Sequence, residues 1–180
     1  MKRDLPNDVR QAATVSVWDP LVRVFHWGLA ASFLIAYAIG DDGGAVHQAL
    51  GYAVVGLVLV RVTWGFVGTR HARFADFVPS PSKLIGYLRD ILARRESRYL
   101  GHNPAGAVMI LLLLIGVIGT GVTGWMMTLD QFGESLEDVH EVLAGATLTL
   151  VAVHVLGVIY ESIRQRENLV AAMLTGRKRR

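Results

Sequence analysis

Residues 140–154 read HEVLAGATLTLVAVH, an apolar run closed at each end by a histidine. An α-helix rises about 1.5 Å per residue, so the interval carries the second imidazole about 21 Å beyond the first. At about 100° per residue the same interval turns through about 1400°, roughly 40° short of four full turns, and both rings leave nearly the same face. A polar ring is costly in so apolar a setting and ordinarily faces a bundle interior or a bound group. The segment therefore raises two questions together, which solvent surrounds it and what its two histidines hold.

Composition answers the first. The 180 residues are 52% hydrophobic and 18% charged, with a mean hydropathy of +0.40, too apolar for a soluble domain of this length. The chain reads as one integral membrane domain over 1–180. It has no cysteine, which excludes disulfides, thiolate metal sites, thiolate-ligated iron–sulfur clusters and covalent CxxCH haem attachment. Any cofactor must be held by His, carboxylate, Met or backbone. The first 20 residues, MKRDLPNDVRQAATVSVWDP, are charged and lack an apolar stretch, so no cleavable signal peptide is expected before the first span.

Crossing a hydrocarbon core of about 30 Å takes roughly 20 helical residues. Four stretches qualify, at about 22–40, 45–67, 104–129 and 137–160, and they predict an all-α, integral membrane four-helix bundle. Lys2, Arg3, Arg10 and Arg23 precede or open the first span, seven Lys and Arg lie in the 68–103 loop, and Arg164, Arg166 and a terminal RKRR follow the last. The connections DDGG and DQFGESLED carry no Lys or Arg. The positive-inside rule thus places both termini and the 68–103 loop in the cytoplasm and the two short acidic connections outside. The pI near 9.5 is then a topology signal in contact with anionic membrane lipid, and no nucleic acid is expected as a partner. Within the loop, FADFVPSPSKLIGYLRDIL predicts a Pro-containing entry and a short amphipathic segment on the membrane surface.

With that topology the histidines acquire depths. His26 opens the first, outward span and is cytoplasmic; His47 opens the second and is outer; His140 is outer and His154 inner. Two histidines fall at each level. His71 and His102 lie in the cytoplasmic loop, where a solvated or interfacial place is expected. A di-iron carboxylate centre needs two Glu-x-x-His motifs and two further Glu at one depth, whereas only Glu137–His140 forms one here. A His-lined zinc or proton pathway would cluster its ligands or link them through carboxylates. Haem b needs one His from each of two facing helices per iron, and two pairs at two depths would make a transmembrane electron wire. Four unrelated helix-end histidines and a haem-free anchor or His-lined transporter remain as lesser readings.

Arg61 follows His47 by the same interval that separates the histidines of the last span, and Arg23 precedes His26 by three. Both are candidate partners for the propionates of an inner haem, since guanidinium pairs with carboxylate in a bidentate fork; snorkelling to the interface is the alternative. Gly51, Gly56, Gly116, Gly119, Gly121 and Gly124 allow close approach either of helices or of a flat macrocycle. Trp64 is a weak candidate for the wall of a quinone site.

The stretches VWDPLVRVFHWGLA, RVTWGFVGTRHARFADFV and HEVLAGATLTLVAVH resemble the prokaryotic cytochrome b561 family, which includes the membrane cytochrome b subunits of nickel–iron hydrogenases. The resemblance runs from about residue 15 to 163. It implies a multi-pass protein of the bacterial cytoplasmic membrane with two haem b groups, exchanging electrons between a quinone or quinol pool and a redox partner. That partner would be a hydrogenase, another dehydrogenase or a cytochrome c. The family's axial ligands fall on His26, His47, His140 and His154; the pairing His26 with His154 and His47 with His140 comes from the depths above. Imidazole on both sides of each iron leaves no open position for substrate, so an electron carrier is expected rather than a catalyst, with no catalytic residue assigned. A stand-alone quinone-reducing oxidase of a small donor such as superoxide is the alternative, and the acidic outer connections weigh against it.

Overall fold

The computed structural model describes residues 14–40, 44–129 and 134–180, with side chains in the last segment from residue 136 onward. The expectations for Lys2, Arg3 and Arg10, for 41–43 and for 130–133 lie outside the described residues. In chain order the elements are β1 (Thr14–Ser16), α1 (Pro20–Ala38), α2 (Ala45–Val67), α3 (Phe74–Phe77), α4 (Pro81–Leu92), α5 (Pro104–Met127), α6 (Glu134–Arg164), α7 (Leu169–Thr175) and β2 (Arg177–Arg179). Four of them, α1, α2, α5 and α6, are long and apolar enough to cross a membrane.

Three helix starts share one device. Asp19, Ser80 and Asn103 each stand before a proline and accept a hydrogen bond from a backbone N–H three residues on. The side chain satisfies an orphan donor, and proline at the first helical position gives up no needed one. Asp19 does more than cap, because its other carboxylate oxygen accepts from Trp64 Nε1 at 3.1 Å and Thr69 Oγ1 at 2.6 Å, latching the start of α1 to the end of α2.

The bundle is two hairpins, α1 with α2 and α5 with α6, joined where α2 packs on α5. Phe25, Phe33, Val54, Val58, Leu114 and Val117 form the buried cluster at that junction. Lipid offers apolar side chains as good a home as protein does, so close backbone packing carries the association. At the α5–α6 seam a Cβ on Gly116 would meet Thr147 Oγ1 at 2.6 Å, and Thr147 is fully buried. Among the described residues, α6 makes no comparable backbone packing against α1 or α2. It faces them across an interior slot.

At one end of the bundle the segment before α1 meets the segment after α7. β1 and β2 pair antiparallel, Val15 opposite Lys178, and Gly176 makes the preceding turn in the left-handed region at φ +80°, which glycine adopts without steric cost. Lys178 is buried and donates from Nζ to Tyr99 O at 3.0 Å. Glu167 accepts from Arg98 at 3.0 Å and from the backbone of Arg179, while Arg164 pairs with Glu96 at 2.6 Å. The terminal basic run expected to lie on lipid is therefore part of a folded cap, with Arg177 and Arg179 exposed and Lys178 inside. In the loop, α4 buries Tyr87 and exposes Ile85, Leu88 and Leu92, the amphipathic arrangement expected there.

Candidate functional site

The slot between α6 and the first hairpin carries a histidine pair at each end. At the outer end His47, in the first turn of α2, faces His140 of α6 with ring centroids 6.1 Å apart and planes at 74°. At the inner end His26 of α1 faces His154 of α6, with centroids 6.4 Å apart and planes at 55°. Two imidazoles on opposite sides of one metal, each bonded at about 2.0–2.1 Å with its ring centre about 1.2 Å behind the nitrogen, stand about 6.5 Å apart centre to centre. The inner pair, at 6.4 Å, has that spacing, and the outer, at 6.1 Å, is slightly closer.

The outer pair is also held in a ligand's tautomer. His47 Nδ1 lies 3.0 Å from Ala36 O, and His140 Nδ1 lies 3.0 Å from Thr120 O. A carbonyl only accepts, so both Nδ1 atoms carry hydrogen and both Nε2 atoms keep their lone pairs. Thr123 Oγ1, which donates to the carbonyls of Gly119 and Thr120, lies 3.1 Å from His140 Nδ1 and accepts from it as well. Gly124 completes the seat, since a Cβ there would stand 2.9 Å from His140 Cε1. The inner pair is set differently. His26 packs edge-on against Trp27 at 4.9 Å, and its buried Nδ1 has no hydrogen-bond partner among the described residues.

Two protein ligands per metal suit a metal that brings its own in-plane ligands. Among the described residues no three His, Cys, Asp or Glu side chains gather into a metal cage, which disfavours a zinc site of the usual three or four ligands. The donor set and its spacing fit haem. Gly51, one turn along α2 from His47, adds no bulk there: a Cβ on it would meet nothing within 4 Å.

Arg61 is 4% exposed, and its Nη1 is buried without a partner among the described residues. Its guanidinium stands 5.2 Å from the Phe74 ring centre and 5.9 Å from that of Phe77, so it is drawn into the inner end instead of snorkelling out. Arg23 is half-buried with its Nε unpartnered among the described residues, and its Nη1 runs beside Gly176. The indole N–H of Trp64 is committed to Asp19, which makes that ring a structural latch.

His102, for which a solvated or interfacial place is expected, stands among aromatic rings and not in open solvent. Its ring sits between Trp18 and Phe77, with centroids at 4.6 and 4.8 Å. Burial first, then the nearby charges of Arg61 and Lys178, push its pKa down to about 3, so it is neutral. Thr120 and Thr123 are not singled out by the sequence, since a threonine on an apolar helix commonly bonds back to the preceding turn and gives no outward sign of a second role.

The chain is similar in sequence to known proteins over most of its length. A family model described as prokaryotic cytochrome b561 matches residues 17–176. The probable Ni/Fe-hydrogenase B-type cytochrome subunit of Azotobacter vinelandii is 28% identical across 96% of this chain and 92% of its own. That of Rhodobacter capsulatus is 25% identical across 98% and 86%. The probable Ni/Fe-hydrogenase 1 B-type cytochrome subunit of Escherichia coli K12 is 30% identical, across 56% of this chain and 55% of its own. No solved structure matches significantly.

Proposed function

The chain belongs to the prokaryotic cytochrome b561 family, a multi-pass b-type cytochrome of the bacterial inner membrane, and we propose that it carries electrons across that membrane through two haem b groups. The observation that carries this reading is the pair of opposed imidazole couples, at 6.1 and 6.4 Å, one at each end of the slot. His47 and His140 would hold the outer haem, and His26 and His154 the inner. When bound, haem b supplies a one-electron ferric–ferrous couple. With two imidazoles holding each group, the four histidines would leave the metal no open position for oxygen or substrate, which supports electron transfer over catalysis. Thr120, Thr123 and Gly124 orient the outer imidazole of α6. Arg61, and with it Arg23, offers guanidinium nitrogens to the carboxylates of the inner haem.

The partners follow from the relatives and the topology. A quinone or quinol exchanges electrons at one end, and a redox protein docks at the outer face, of the hydrogenase class for which the relatives are cytochrome subunits. The test is a reduced-minus-oxidised optical spectrum of the purified protein with haem counted per chain. Two haem b per chain are expected, and none after His140→Ala and His154→Ala together; a haem retained in that double variant overturns the reading.

A further inference from the structure

We propose that the groove between the end of α6 and α7 seats one anionic phospholipid, of the phosphatidylglycerol kind, with its phosphodiester on Arg166 and Asn168. The groove lies on the lipid-facing side of α6 and is independent of what the histidine slot holds.

Its shape is that of a site for an amphiphile. The groove encloses about 380 Å³. Ile159, Ile163 and Val170 make an apolar wall and are all exposed, whereas Ser162, Arg166, Glu167 and Asn168 gather at the other end. The membrane-crossing helix α6 stops here, at Arg164. The wall therefore faces acyl chains, and the polar end stands at the depth of the head groups.

The hydrogen bonds already made at the polar end decide which head group it takes. Ser162 Oγ donates to Val158 O at 2.7 Å and accepts from Leu169 N at 3.3 Å. Asn168 Oδ1 accepts from Ala171 N at 2.8 Å. Glu167 is buried and accepts from Arg98 at 3.0 Å and from the backbone of Arg179. The acceptors are thus engaged within the fold. Among the described residues, the Arg166 guanidinium and the Asn168 amide nitrogen have no partner, and both are donors only. A phosphodiester offers acceptors and a negative charge to match. The ammonium of a zwitterionic head group finds no free carboxylate among the lining residues.

The backbone aims Arg166 at this place. It closes α6 in the left-handed region at φ 49°, where glycine sits without cost and arginine does not. The turn is completed by backbone bonds alone, from Arg166 N to Ile163 O and from Glu167 N to Ser162 O, so the turn itself asks for no arginine side chain.

The experiment titrates the full-length protein, freed of lipid in a neutral detergent, with phosphatidylglycerol, phosphatidylcholine or inorganic phosphate, and counts bound molecules by native mass spectrometry. One phosphatidylglycerol per chain is expected at concentrations where neither phosphatidylcholine nor phosphate binds. Arg166→Asn and Arg166→Gly both suit the left-handed turn, and each should weaken that binding by about tenfold, as for the loss of one charge-assisted contact. Arg89→Gln removes an exposed cation from α4 and should leave the binding unchanged. Equal binding of phosphatidylcholine, binding of phosphate alone, full binding in the two Arg166 variants, or an equal loss in Arg89→Gln overturns the proposal.

Discussion

At position 124 the absence of a side chain is what lets the outer imidazole of α6 keep its place. A Cβ would stand 2.9 Å from Cε1 and 3.3 Å from Nδ1 of His140, inside van der Waals contact. Gly124→Val is therefore expected to cost one of the two haems, read as haem per chain falling by half. His102 supplies a second test at this scale. Its folded pKa, near 3, lies below the ordinary 6.5, so between those values the unfolded chain binds a proton that the folded chain refuses. Stability then rises with pH across the window and is lost on acidification. His102→Phe should flatten that slope, measured as melting temperature against pH, with Arg61, Lys178, His71 and His154 the charged or titratable groups around the ring. The common facing of His140 and His154 could be read from sequence, because an interval near a whole number of helical turns fixes both depth and face. Thr123 could not, since its role depends on α6 lying against α5. His102 could not either, because Trp18 and Phe77 close on it from distant parts of the chain.

Among the elements, the helix starts were the most legible. Asp-Pro, Ser-Pro and Asn-Pro each mark a start directly, through local chemistry alone. Ends were less so: α6 extends to Glu134 and Arg164, beyond the apolar 137–160, because hydropathy reports only the part in oil while the helix continues into water and ends near the Glu96 ion pair. The seam between α5 and α6 depends on Gly116. Placing a leucine there forces bulk against Thr147 Oγ1, and overpacking of this kind typically costs about 1–3 kcal/mol. Gly116→Leu should lower the melting temperature in detergent and release both haems together, unlike the single loss expected for Gly124→Val. The glycines themselves were visible in the sequence, but which of them face a helix and which face the slot was not; Gly116 meets Thr147, whereas Gly51 meets nothing within 4 Å.

For the whole molecule the topology is open to a direct check, because the chain has no cysteine and any introduced thiol reports alone. Arg94→Cys, in the basic loop, should react with a membrane-impermeant maleimide only from the cytoplasmic side, and Glu137→Cys, at the start of α6, only from the outside. Reversal of that pattern would invert the orientation of the wire. The all-α bundle was legible from the distribution of apolar residues and of Lys and Arg, both of which act span by span. The small β ribbon was not, since it joins Thr14–Ser16 to Arg177–Arg179 and no local pattern announces a partner so far away.

That ribbon also orders events during biosynthesis. Its first strand precedes the four long helices in the chain and its second strand follows them, so the cap cannot close until α6 has been made. Closure reports that all four helices are in place, and until then Trp18, the neighbour of His102, waits on an unpaired segment. Contacts of such wide sequence separation form late because chain entropy opposes them until the intervening structure exists, which makes the inner end of the protein the last part to be finished.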